Sequence, residues 1–243
     1  GMNRLGISPQ ETVEFIRWLN KLGGLEVEGV FTHFARADEP QEDTTALQID
    51  RFEGVLAGLE AAGIRPPLVH ASNSAAVFHY PRAAYDMVRC GIALYGLHPS
   101  PETLLPDTFR PALTLKTRVT SVRELNPGEG VGYNFRYHAS KKERIATIGI
   151  GYADGFRRVM GNTVLVDGKK VAVVGSVCMD QCMVSLDGID GVKAGDEVVI
   201  IGRQNHHRQT AEDLAEHWGT VNYEVVCGMA DRLPRIYYYS KEE

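Results

Sequence analysis

Apolar and polar positions along the chain follow two different rhythms. In the first stretch, Val13, Ile16, Leu19 and Leu22 recur at helical spacing. Ser8-Pro9-Gln10-Glu11 stands before them as a start signal, with a cap residue, proline at the first helical position and acid in the first turn. Gly23-Gly24 ends that run, and residues 25–34 read as a buried strand closing on Thr32-His33. Residues 45–62 predict a second amphipathic helix with Leu47, Phe52, Leu56 and Leu59 as its stripe, stopped by Gly63. Residues 68–70 are a short strand, Ser72-Asn73-Ser74 opens another helix, and residues 86–90 form a third strand. Strand alternating with helix predicts right-handed βα units on a parallel sheet.

From about residue 109 the rhythm changes. Short runs rich in valine, isoleucine and threonine (113–122, 144–150, 163–166, 170–174 and 197–201) alternate with turn signals. Asp167-Gly168 between two such runs is a hairpin signature. A helix is expected over 210–218, a short turn over 222–227, a solvated loop at His206-His207 and an edge strand at 237–239. The expected architecture is therefore α/β plus β, with an α/β part over 1–108 and a mostly antiparallel, barrel-like β domain over 109–243. About three βα units fill the first part, whereas a closed eight-unit barrel needs roughly 250 residues.

A chain of 243 residues that is 44% hydrophobic can bury sizeable cores, and 23% charged residues mark an ordinary globular composition. The net charge of -5 argues against nucleic acid and acidic membrane surfaces as general partners. No apolar run approaches the ~20 residues of a membrane span. Gly1-Met2-Asn3-Arg4 lacks the layout of a secretory signal. Cys90, Cys178, Cys182 and Cys227 form no CxxC pair, so no structural zinc is expected and the thiols are read as reduced, in a cytoplasm.

The chemistry-bearing residues fall at strand ends. His33 closes the first strand, Ser72-Asn73-Ser74 follow the second, and Arg89 and Gly91-Ile92 follow the third. In α/β barrels catalytic groups gather at such ends, and a phosphate often lies after the last strands. Ser74 at a helix start can offer a hydroxyl and an N–H to an anion, and Gly91 lets backbone approach one. No Walker loop and no GxGxxG is present, so a phosphorylated cofactor fits better than a nucleotide. Each residue also has a plainer reading: Arg89 as a surface ion-pair residue, His33 and His70 as satisfied core histidines, Ser74 as a helix cap, Tyr133 and Met179 as packing.

Together these residues compose a pattern. Gly1-Met2-Asn3-Arg4-Leu5-Gly6, Thr32-His33-Phe34-Ala35, His70 to Ala75, Arg89 to Gly96, Gly130-Val131-Gly132-Tyr133, Gly149 to Gly155, Val177-Cys178-Met179-Asp180 and Asn222-Tyr223-Glu224 stand in order along nearly the whole chain. In this set the chain resembles the alanine racemases, pyridoxal-phosphate enzymes of fold type III. The resemblance implies that 1–108 is the C-terminal part of a (β/α)8 TIM-like barrel. It further implies that Arg89 bonds the pyridine nitrogen and is braced by His70. Ser74, Gly91, Ile92 and Tyr223 would hold the phosphate, supported by Asn73, and His33 would link Arg89 towards the catalytic base Tyr133. Arg4 and the Met179 N–H would bind the substrate, with Cys178 and Asp180 beside Met179. Tyr152 would narrow the access, and Arg158 would brace the site. The family forms homodimers, so Tyr133 would act in the neighbouring subunit.

The resemblance also exposes a departure. The family's Schiff-base lysine lies in an early VKANAYGHG-like motif, and Lys21, Lys116, Lys141, Lys142, Lys169, Lys170, Lys193 and Lys241 all lack that context. The expectation is that this chain alone cannot racemise. The family implies a two-base interconversion of L- and D-alanine for peptidoglycan supply. Rivals are a broad-specificity or serine racemase, an amino-acid decarboxylase, a non-catalytic pyridoxal-phosphate carrier, and an inactive fragment acting as a structural module.

Overall fold

The computed structural model describes residues 1–239 and divides the chain into two compact units, Gly1–Pro111 and Ala112–Glu243. Lys241 lies outside the described residues.

The first unit contains α1 (Thr12–Leu19), β1 (Gly29–Phe31), α2 (Thr44–Ala61), β2 (Leu68–Asn73), α3 (Ser74–His79), β3 (Met87–Arg89) and a 3-10 turn over Ile92–Tyr95. Its three strands are parallel, in the order β1-β2-β3. β1 is shorter than the ten-residue run suggested, because only Gly29, Val30 and Phe31 find partners, in Leu68, Val69 and His70. α1 begins three residues later than the cap signal indicated. The Ser8 hydroxyl donates to Glu11 instead of accepting a helix N–H, so Pro9 to Glu11 form a turn. α2 buries Thr45, Gln48, Ile49, Phe52 and Leu59 and leaves Leu47 57% exposed. Five residues from Phe52, Leu47 points about 140° away at 100° per residue, and the true stripe carries two polar residues. The core between α2 and the sheet is Phe34, Ile49, Phe52, Val69, Ala71, Ala75 and Ala76.

The second unit contains β4 (Leu115–Leu125), β5 (Gly130–Val131), β6 (Tyr137–His138), β7 (Glu143–Ile148), β8 (Thr163–Val166), β9 (Lys169–Val174), β10 (Cys182–Ser185), β11 (Glu197–Gln204), β12 (His207–Gln209), α4 (Ala211–Trp218) and α5 (Asn222–Cys227). Every pairing is antiparallel, in the order β12-β11-β4-β7-β10-β9-β8, and β8 returns to pair with β11. Six strands thus close on themselves and leave no edge between them. Asp167 and Gly168 both take positive φ, +48° and +69°, as a tight turn between Val166 and Lys169 requires. Val164, Leu165, Val166, Val198, Val199 and Ile200 are at most 1% exposed. Consecutive buried residues of this kind mean that both faces of the strand are covered.

Several expectations for this unit are corrected. His207 belongs to strand β12, because Asn205 and His206 make the turn that folds it onto β11. Asn222–Cys227 is a helix rather than a turn. Tyr237, Tyr238 and Tyr239 pair with no strand and are exposed: β-prone side chains make a strand only where a ladder partner exists.

Candidate active site

In the first unit the strand ends converge on Arg89. Its Nη2 donates to the carbonyls of Thr32 at 2.8 Å and Ala71 at 3.1 Å, and reaches His33 Nδ1 at 3.3 Å. Its Nη1 donates to His70 Nδ1. An imidazole nitrogen that accepts from a guanidinium carries no proton. Both histidines titrate below the ordinary value of 6.5. For His33, burial is the first cause, followed by the charges of Arg89 and Arg4; for His70, burial comes before Arg89. Burial also lowers Arg89 from its ordinary value. Phe31 stacks on His70 with ring centres 5.0 Å apart, and the Arg89 guanidinium lies 5.2 Å from the Phe31 ring centre. In this geometry Arg89 forms no ion pair with an acid among the described residues, and its brace is two neutral rings and two carbonyls. The Arg89 Nε–H has no hydrogen bond among the described residues.

Ser74 is resolved in the same way. The side chain of Asn73 caps α3, accepting the Ala76 N–H at 3.0 Å. The Ser74 hydroxyl is thereby released from capping and instead accepts the N–H of Gly91 at 2.9 Å and of Ala93 at 3.3 Å. Two backbone donors converge on the Ser74 oxygen and make a cradle whose N–H groups that hydroxyl satisfies. A Cβ at Gly91 would meet nothing within 4 Å, so open space adjoins it. Ile92 begins the 3-10 turn and is buried. A free guanidinium N–H, neutral imidazoles and this cradle fit the acceptor nitrogen and the phosphate of pyridoxal phosphate.

In the second unit three motifs converge through glycines. A Cβ on Gly151 would lie 2.4 Å from Cys178 O and from Met179 C and O. Tyr152 and Ala153 donate their N–H to the carbonyls of Cys178 at 3.0 Å and Met179 at 2.9 Å. A Cβ on Gly175 would lie 2.7 Å from Val131 O, and one on Gly132 would lie 3.1 Å from the Met183 methyl. Those contacts bring the turn bearing Tyr133 and the turn bearing Met179 onto one scaffold. Tyr133 is 66% exposed and Met179 57% exposed, which removes the packing readings for both. The Met179 N–H donates no hydrogen bond among the described residues, while its neighbour Cys178 donates to Gln181 O at 2.8 Å.

Asp154, buried below Tyr152, accepts from the Gly151 N–H at 2.9 Å and from Arg232 Nε at 2.7 Å. Arg158 donates to Val177 O at 3.3 Å. With Tyr152, Gly155, Arg157, Trp218, Glu224 and Gly228 it lines a pocket. Tyr223 sits on α5 beside Glu224, which pairs with Arg157. Asp180 and Arg4 are exposed.

Sequence reasoning missed the carbonyls of Thr32 and Ala71, since backbone acceptors leave no compositional trace. It also missed Asp154 and Arg232, whose pairing across 78 positions has no local signal.

Residues 1–99 match the family model of the alanine racemase N-terminal domain, and residues 112–237 match that of the C-terminal domain. The chain is 45% identical to an alanine racemase of Halothermothrix orenii over 98% of its own length and 63% of the relative's. It is 48% identical to an alanine racemase of Symbiobacterium thermophilum over the same shares. Among solved structures, alanine racemase from E. faecalis superposes with a TM-score of 0.92 at 40% identity, covering 98% of this chain and 64% of that one. Alanine racemase from Bacillus anthracis with bound L-Ala-P gives 0.93 at 41% identity, covering 100% and 63%. The chain therefore spans just under two thirds of the length of the relatives it matches.

Proposed function

The chain belongs to the alanine racemase family, and on that premise we propose that the full-length protein interconverts L-alanine and D-alanine with pyridoxal phosphate. One observation carries the reading: a guanidinium held by two carbonyls and two unprotonated imidazoles, with its Nε–H left over among the described residues. Pyridoxal phosphate, when bound, supplies the electron sink that makes the substrate Cα–H acidic. Arg89 would donate that N–H to the pyridine nitrogen and, as a very weak acid, keep its own proton. The ring would then withdraw electrons only moderately, which suits proton return to the same carbon. The Ser74 cradle with Gly91, Ile92 and Tyr223 would hold the phosphate, with Asn73 freeing Ser74 for it.

Inversion at carbon needs a proton removed on one face and returned on the other. Tyr133 would serve one face, and its exposure without a bonded partner supports its being offered to a second subunit in a homodimer. Arg4 and the Met179 N–H would hold the substrate carboxylate, Tyr152 would narrow the access, and Cys178, Asp180 and Arg158 would shape the surroundings. The first unit, with its parallel strands, would form the closing units of a (β/α)8 barrel. A D-alanine product fits peptidoglycan supply in the cytoplasm. No helix among the described residues is long and apolar enough to cross a membrane.

The covalent partner of the cofactor would not come from these 243 residues. Lys116, Lys141, Lys142 and Lys169 are bonded to Glu197, Asp187, Glu124 and the Gly188 carbonyl, all in the second unit, and no lysine among the described residues joins the Arg89 cluster. Incubation of the 243-residue polypeptide with pyridoxal phosphate and borohydride is expected to leave it unlabelled. The full-length protein is expected to label and to racemise alanine. A labelled lysine in the short polypeptide, or a full-length protein inert towards alanine, overturns the reading.

A further inference from the structure

Helix α2 carries two buried polar groups that the site described above does not use. Gln48 is 8% exposed and Thr45, one turn earlier on the same face, is fully buried. Gln48 Oε1 accepts the N–H of Ala35 at 3.0 Å, two residues beyond His33. Gln48 Nε2 and Thr45 Oγ1 have no partner among the described residues. A buried polar group without a partner costs free energy, and an apolar residue would fill the same space without that cost. Packing alone therefore does not account for a glutamine here.

The free end of Gln48 points at the segment carrying Arg4. A Cβ on Gly1 would lie 2.4 Å from Gln48 Nε2 and 2.9 Å from its Cδ, so the amide lies close to the Gly1 backbone and would have to swing aside for a side chain there. One carboxamide thus touches two stretches of chain: the loop after β1, which sets His33 against Arg89, and the run that leads into Arg4. The Arg4 charge acts on His33, so the two stretches already share an electrostatic environment.

We propose that Gln48 is a positioning residue of the racemase site, whose carboxamide holds the His33 loop with its oxygen and the Arg4 segment with its nitrogen edge. The role rests on the functional reading given above. It acts through backbone, and Gln48 itself touches neither cofactor nor substrate. It also gives Gly1 a reason to be glycine: a methyl there would push the amide off the Ala35 N–H.

The test uses the full-length protein without cofactor. The imidazole of His33, which faces Arg89, Arg4 and, through Arg89, His70, is titrated by NMR, and amide exchange is read over 1–6 and 32–36. Gln48→Met is expected to raise the His33 titration towards its ordinary value as the loop relaxes from Arg89. Exchange should quicken in both segments, and pyridoxal phosphate, used as probe, should bind roughly tenfold more weakly. Gly1→Ala, which leaves Gln48 in place, is expected to shift the same readouts in the same direction by less. It carries the test alone should Gln48→Met fail to fold. A melting temperature that drops while His33 and both segments stay unchanged, or a silent Gly1→Ala, overturns the proposal. A full-length protein that does not bind pyridoxal phosphate at all sinks the functional reading but leaves the titration arm standing.

Discussion

The two units hold their candidate groups by opposite means. In the first, three parallel strands form an open sheet whose outer members, β1 and β3, contain no fully buried residue. Arg89, His33 and His70 are half-buried at its strand ends and locked by direct hydrogen bonds. In the second, six antiparallel strands close, and the candidates Tyr133, Tyr152 and Met179 stand on exposed turns. There the turns are placed by backbone passing close to backbone at Gly151 and Gly175. A closed sheet can fix a turn through its own rigidity and leave the side chain bare, whereas an open sheet fixes the side chain itself.

The contrast is sharpest in paired substitutions of the full-length protein. Arg89→Leu and Tyr133→Phe are each expected to lower racemase activity by about 10³-fold or more, roughly 4 kcal/mol in the barrier. Only Arg89→Leu should also lower the melting temperature, because it strands two carbonyls and two imidazoles, while the Tyr133 hydroxyl makes no hydrogen bond among the described residues. Equal melting temperatures for the two variants would break the comparison.

A smaller effect separates buried from exposed positions. Leu165→Ala, at a fully buried site of the closed sheet, is expected to cost about 2–5 kcal/mol in denaturant titration. Leu47→Ala, on the exposed side of α2, should stay within about 0.5 kcal/mol. A costly Leu47→Ala would restore the helix stripe that the sequence suggested.

The smallest effect is in pH. His33 and His70 titrate below 6.5 in the fold, so the unfolded chain binds more protons in that range. The first unit should therefore lose stability as pH falls from 6.5 through the lowered values, and level off below them. Tyr137 behaves in the opposite sense: burial first, then its hydrogen bond to Glu143, pushes it up to about 12. Stability of the second unit that is present below 10 should be lost as pH rises through 12. Unfolding followed at both extremes, with probes in each unit, checks the pair. A first unit indifferent to acid removes the neutral-histidine account of Arg89.

Much of this was legible in the order of residues. Local signals located α2, the turn at Asp167-Gly168, and the runs that became β7, β8, β9 and β11, because propensity and turn chemistry act over a few residues. Motif order identified the family and pointed to Arg89, Ser74 and Tyr133 as candidates. What failed required partners distant in sequence. β1 was overlong because ladder partners, not hydrophobicity, end a strand. Cys182–Ser185 went unread because four residues between turns carry too little periodicity. Gln48 went unread because a glutamine in a helix looks solvated until its oxygen is seen on Ala35.

The hairpin of β8 and β9 is joined to its flanks by two residue pairs on each side, Val198–Val166 and Val199–Leu165 towards β11, Met183–Val174 and Val184–Val173 towards β10. Gln209 spans the first of these seams, donating to Thr163 O at 2.7 Å and Ile200 O at 2.8 Å while accepting from the Thr163 hydroxyl at 2.7 Å. The cylinder is thus a cask with one loosely nailed stave, and Gln209 is the peg beside it. If the cask ever springs, it springs there, and the stave leaves as a ready-made ribbon, with its own turn intact.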